Sequence, residues 1–133
     1  MKRSLLAGLA LMLAAGQAYA DSCWIITGLK GVSASASDGY EFTKDGFSTS
    51  VFVLRISDTP SVQVTGSPSS YSEGKMIRIS DSMIIYVYAT PQSNTEVWAV
   101  DADKGIAYVT QSRSGFGQFN KAAAFAGRAR PGC

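Results

Sequence analysis

"EVWAVDADKGIAYVTQ", Glu96–Gln111, decides the fold. Two short apolar runs flank five residues of turn chemistry. "EVWAV" has the β-branched and aromatic content of a strand, and "GIAYVTQ" has it again. Between them, Asp101 to Gly105 reads as a hairpin turn. Asp and Gly are the residues that tolerate the backbone angles a tight reversal needs. The same five residues also begin like a calcium loop of the form D-x-D-x-[DN]-G. They depart from it, because Gly105 comes one position early, the third oxygen ligand is missing and no Glu follows at the right distance. Strand, turn, strand is the better reading.

Working outward, the pattern repeats. "CWIITGL" (Cys23–Leu29) is a first strand, and "KGVSASASDG" is a loop or a twisted continuation of it. "YEFTKDGF" puts Tyr40 and Phe42 on one face and reads Asp45-Gly46 as a hairpin turn. "STSVFVLRIS" is apolar on both faces and is broken by Asp58-Thr59-Pro60. "SVQVTG" and "MIRIS" alternate with period two. "SPSSYSEGK" is a surface loop, Asp81-Ser82 a tight turn or bulge, and "PQSNT" a loop. "MIIYVYAT" is apolar on both faces, as a central strand is. "NKAAAFAGRA" can be read two ways. Its alanines, with Asn120 as a cap and Gly127 past the end, fit a helical turn. A short final strand over Ala124–Ala129 is favoured, because the last residue must return beside the first strand. The sum is an all-β chain, a small antiparallel meander forming a sandwich or barrel-like domain whose termini a disulfide joins.

That disulfide is expected between Cys23 and Cys133, the two cysteines of the chain. Residues 1–20 explain why it can form. Lys2 and Arg3 precede the apolar "SLLAGLALMLAA", and "AYA" ends at Ala20, the pattern of a signal peptide cleaved near Ala20. Residues 21–133 are then a single exported β domain, periplasmic or secreted, in a compartment where disulfides persist. No later stretch is long and apolar enough to span a membrane as a helix.

Charge and composition exclude several functions. The chain has 12 basic and 10 acidic residues. Without Lys2 and Arg3 the balance is neutral, so nucleic acid is not an expected partner. There is no histidine, which removes Ser-His-Asp and Cys-His hydrolases and most zinc sites. With both cysteines bridged, no thiolate nucleophile remains. "SEGK" (Ser72–Lys75) matches S-x-x-K, but the glycine and the absence of companion motifs favour a polar turn. No enzyme activity, metal or cofactor is expected.

Two groups of residues carry what site-like signal there is. Tyr86, Tyr88, Trp98 and Tyr108 fall on adjacent strands and could line a pocket for an apolar or sugar-like ligand. Core packing is the plainer role for them, and for Trp24 beside the disulfide. "TQSRSGFGQFN" (Thr110–Asn120) offers Arg113 to an anionic group or partner, with Phe116 and Phe119 as anchors. Its plainer role is a connection in which Arg113 pairs with a carboxylate. Two functions follow: a non-enzymatic binding module of the exported space, or an inhibitor or partner of another exported or cell-envelope protein.

"EVWAVDADKGIAYVTQSRSGFGQFN" (Glu96–Asn120), followed by "AFAG" and a terminal cysteine, resembles small exported bacterial proteins of uncharacterised function. A fainter likeness covers "DGYEFTKDGFS" (Asp38–Ser48). The resemblance implies export and a single domain of this size, and assigns no functional residue.

Overall fold

Period-two patterning dominates the chain, and the computed structural model shows what it builds. The structure describes residues 20–66, 71, 73–89 and 91–133. Nearly all of the expected signal peptide and most of the Ser-rich loop before Lys75 lie outside the described residues. Among the described residues eight strands follow in order: β1 Ser22–Ser35, β2 Phe42–Ile56, β3 Ser61–Val64, β4 Lys75–Ser80, β5 Met83–Tyr88, β6 Ser93–Asp101, β7 Ile106–Ser114 and β8 Lys121–Pro131. Short 3-10 turns at Ala36–Asp38 and Gly117–Phe119 join β1 to β2 and β7 to β8.

All neighbours are antiparallel, in the order β3-β2-β1-β8-β7-β6-β5-β4. The sheet curls into a nearly closed barrel rather than splitting into a sandwich. Its first and last strands lie side by side at the centre, with Trp24 opposite Pro131 and Ser35 opposite Lys121. The Cys23–Cys133 disulfide sits at the end of that pairing, with Cα atoms 5.9 Å apart.

Curvature has a local cause. Gly28 adopts φ 65°, and the register on both sides of β1 shifts around it. Such a bulge bends a strand and increases its twist, which is how a long strand follows a barrel wall. Gly31 serves a different need. A Cβ there would lie 1.8 Å from the Ala124 carbonyl oxygen, so only glycine lets β8 approach β1 at this point.

Two expectations are corrected. Asp45-Gly46 is not a hairpin turn but lies inside β2, paired with Gly31 and Lys30. Gly46 is there because a Cβ would meet the Leu29 carbonyl oxygen at 2.5 Å. The reversal comes earlier, at Gly39 and Tyr40, both with positive φ. The final strand runs beyond Ala124–Ala129 at both ends, while of the two readings of "KGVSAS" the continuation of the first strand holds, since it belongs to β1. Asn120 is not an N-cap, since a strand follows it; it closes the Gly117–Phe119 turn, and its Oδ1 accepts from the Phe116 N–H at 2.8 Å.

Ile26, Leu29, Leu54, Ile56, Val62 and Ile84 are wholly buried and form the centre of the core with Phe52, Trp98, Val109 and Phe125. Burying each such side chain stabilises the fold by about 1.5–3 kcal/mol. Trp24 and Tyr71 pack against this cluster. The outer strands β3 and β4 leave a seam, and Arg78 of β4 bridges it. Its buried guanidinium reaches Asp21 at 2.9 Å, Asp81 at 3.4 Å and Asp58, beyond β2, at 3.8 Å, and also donates to the Ala20 carbonyl.

Candidate functional site

Alternation along β6 sends Glu96, Trp98 and Val100 inward, and all three are buried. Trp98 and Val100 belong to the core. Glu96 is a carboxylate only 7% exposed. Three neutral donors hold it. Gln111, opposite it on β7, donates Nε2 to Oε1 at 2.7 Å. The Tyr71 hydroxyl donates to Oε2 at 2.7 Å, and Trp98 Nε1 donates to the same oxygen at 3.2 Å. Such bonds compensate the desolvation of a buried charge.

Tyr71 reaches Glu96 from the connection between β3 and β4. Its ring meets Tyr86 edge to face, with centroids 4.8 Å apart. Gly74 makes room for this pair, since a Cβ there would fall 2.2 Å from the Tyr86 ring. Burial, then the nearby Glu96 charge, pushes the Tyr71 hydroxyl well above the usual phenol range. The same two causes, in the same order, raise Tyr86. Both tyrosines stay protonated and remain donors at any ordinary pH.

Glu96 faces a cavity of about 300 Å³ inside the barrel. Its walls are Leu29, Val64 and Val109 with an aromatic arc of Phe47, Phe52, Phe125 and Trp98. The arc is contiguous: Phe47 lies 5.3 Å from Phe125 and 5.9 Å from Phe52, and Phe52 lies 5.1 Å from Trp98, between ring centroids. Tyr71, Gln111, Ser50 and Arg113 complete it. A concave apolar space with a few convergent polar groups is what small-molecule sites share, and this one is at the small end of their range of about 300–1,000 Å³.

The sequence-predicted residues divide. Trp98 lines the cavity, and Tyr86 is buried behind Tyr71. Tyr88 lies on the same face of β5 as Tyr86, half-buried and opposite Asn94. Tyr108 is on the outer face of β7, 45% exposed, away from the other three. Arg113 is in β7 rather than in a loop, half-buried and lining the cavity. No carboxylate pairs with it among the described residues; its guanidinium lies 5.6 Å from the Phe116 ring centre. Phe116 is half-buried and Phe119 points out, 63% exposed.

Asp101–Gly105 is the hairpin turn expected of it. The Lys104 N–H donates to Asp101 Oδ1 at 3.1 Å, and Gly105 has φ 64°. Among the described residues no cluster of acidic or cysteine side chains could hold a metal ion. The S-x-x-K serine, Ser72, lies outside the described residues, and Lys75 opens a strand, not a helix.

Glu96 and Tyr71 are the residues that strand counting missed. Glu96 had a signal, since it shares the alternation phase of Trp98 and Val100 and is the one charge in that phase of "EVWAV". Tyr71 had none, as one aromatic in a serine-rich stretch. Comparison with known protein families, with curated proteins and with solved structures gives no match for this chain. No helix among the described residues is long and apolar enough to cross a membrane.

Proposed function

We propose that this chain is a non-enzymatic binding module of the exported or periplasmic space, taking a small ligand into the barrel interior. The observation that carries this reading is the cavity itself, apolar on most sides with Glu96, Gln111 and Arg113 converging on it. The Cys23–Cys133 disulfide supports export, because such a bond persists in an oxidising compartment. The sequence pattern of a signal peptide points the same way. Native mass spectrometry on protein purified from its own cell envelope without denaturation tests the binding reading. A retained small mass, lost when Ser50→Phe fills the cavity, is the expected result. A bare chain under conditions that keep the fold intact counts against it.

A second reading, partner or inhibitor of another exported protein, has its own observation. The β1–β2 and β7–β8 turns meet at one end of the barrel, tied by the Ala36 N–H to the Asn120 carbonyl at 3.0 Å. They expose Tyr40 at 60%, Phe42 at 70% and Phe119 at 63%. Aromatic side chains standing out of a rigid end suit a protein interface. Replacing Tyr40, Phe42 and Phe119 together abolishes capture of a partner if this reading holds, and leaves capture intact if it does not.

A further inference from the structure

The identity of the polar groups in the cavity narrows its ligand. Glu96 is buried, and no lysine or arginine nitrogen among the described residues stands within ion-pair distance of it. Three neutral donors support the carboxylate but do not neutralise it. A buried charge without a counter-charge leaves an electrostatic demand that a ligand can meet.

Hydrogen-bond capacity points the same way. An ionised carboxylate has about four acceptor sites, and three are used, two on Oε2 and one on Oε1. One layer along the same inward phase of β6 is Asn94, whose buried Oδ1 has no hydrogen-bond partner among the described groups. Asn94 is registered opposite Arg113 and is not part of the cavity wall, so the spare acceptor at the Glu96 end is the carboxylate's own. A head group rich in donors is the complement, and an ammonium supplies three with its positive charge. The remaining wall suits that charge as well. Phe47, Phe52, Phe125, Trp98 and Tyr71 surround the cavity, and aromatic faces attract cations most strongly where water is excluded. Arg113 lies two residues along β7 from Gln111, at the side nearer the β7–β8 turn. It repels a cation there and so favours the Glu96 end.

We propose that the cavity binds a small organic cation, a primary amine with a compact apolar body, with Glu96 as counter-charge and the aromatic arc around the cationic head. This rests on the binding-module reading and specifies its ligand class.

The test is calorimetric titration of the folded, oxidised protein with three probes of one shape: hexylammonium, 1-hexanol and hexanoate. Hexylammonium is expected to bind about tenfold tighter than 1-hexanol, a preference within the range of a partly desolvated cation–aromatic contact, and hexanoate weakest. Glu96→Gln keeps the shape and should erase the preference for the amine over the alcohol. Tyr71→Phe, which keeps the carboxylate, should retain that preference. The series on the unaltered protein decides the matter even where a variant folds poorly. Equal binding of hexylammonium and 1-hexanol overturns the cation assignment and leaves a binding cavity in place. Tightest binding of hexanoate overturns it in favour of Arg113 as the anchor. No binding of any probe overturns the cation assignment, and the native mass spectrum then decides the binding reading by itself.

Discussion

Removing the disulfide by Cys23→Ser together with Cys133→Ser tests how this small barrel holds its ends. The bridge spans 110 residues of sequence. The chain-entropy relation gives a loop of that size about 16 cal/mol/K, or about 4.8 kcal/mol at 25 °C. Little of this resides in the folded state. Trp24 to Thr27 remain laddered to Arg128 to Pro131 without the bond, and the Gly132 N–H still donates to the Cys23 carbonyl at 3.0 Å. Unfolding roughly 113 residues releases about 0.24 kcal/mol/K near the midpoint, so the expected fall in Tm is about 20 °C. Differential scanning calorimetry of the double variant, beside the parent with and without reductant, measures it. Hydrogen exchange on the Trp24–Thr27 amides at low temperature should show the ladder intact in all three. A fall below about 5 °C with that ladder unchanged would refute the unfolded-state account. So would a full fall accompanied by loss of the ladder, since the bond would then be holding β8 in place.

Two further outcomes follow from close approaches elsewhere. Gly31→Ala forces a methyl against the Ala124 carbonyl and should lower stability by about 3 kcal/mol. Urea unfolding checks this, and a change below about 1 kcal/mol would mean that β1 and β8 can part freely. Asp45 accepts from Lys121 Nζ at 2.7 Å, and that bond is the first cause holding its carboxyl below the usual range. Its folded value is thus lower than its unfolded one. The contribution is present above about pH 4 and is lost as pH falls through the folded value. Asp45→Asn should therefore flatten the acid limb of a Tm-against-pH curve while changing little below it, and an unaltered acid limb would show the pair contributes nothing.

Much of the fold was legible because its turns obey local rules. Asp101–Gly105 and Asp81-Ser82 are reversals by their own backbone chemistry, whatever surrounds them. Asp45-Gly46 has the same signature and a different cause, since Gly46 answers to the Leu29 carbonyl on a neighbouring strand. Sequence-local reasoning cannot see such a contact. The small residues of "KGVSAS" left loop and strand continuation both open for a related reason. Gly31, Ser33 and Ala34 are small where β1 lies against the alanines of β8, and a tertiary contact outweighed local propensity. In the same way the helix preference of Ala122–Ala124 yielded to pairing on both sides. Half of the site was readable from alternation, which places Trp98 and Tyr86 inside. The other half depended on Tyr71, delivered by a connection whose composition says only that it is polar.

The strand order has a consequence for how the chain could be written. With β1 and β8 adjacent and their ends bonded, the polypeptide is in effect a ring. Start reading that ring at Lys75 and the eight strands follow one another across the sheet without a single jump. The actual beginning of the domain lies in the middle of its wall, and the seam bridged by Arg78 is where a consecutive meander would begin and end. A circular permutant opened between β3 and β4, with a peptide linker in place of the disulfide, would keep every strand neighbour and make each one a neighbour in sequence. The pairing that now waits for the last strand to be made would become local, and such a chain should fold faster than the natural one.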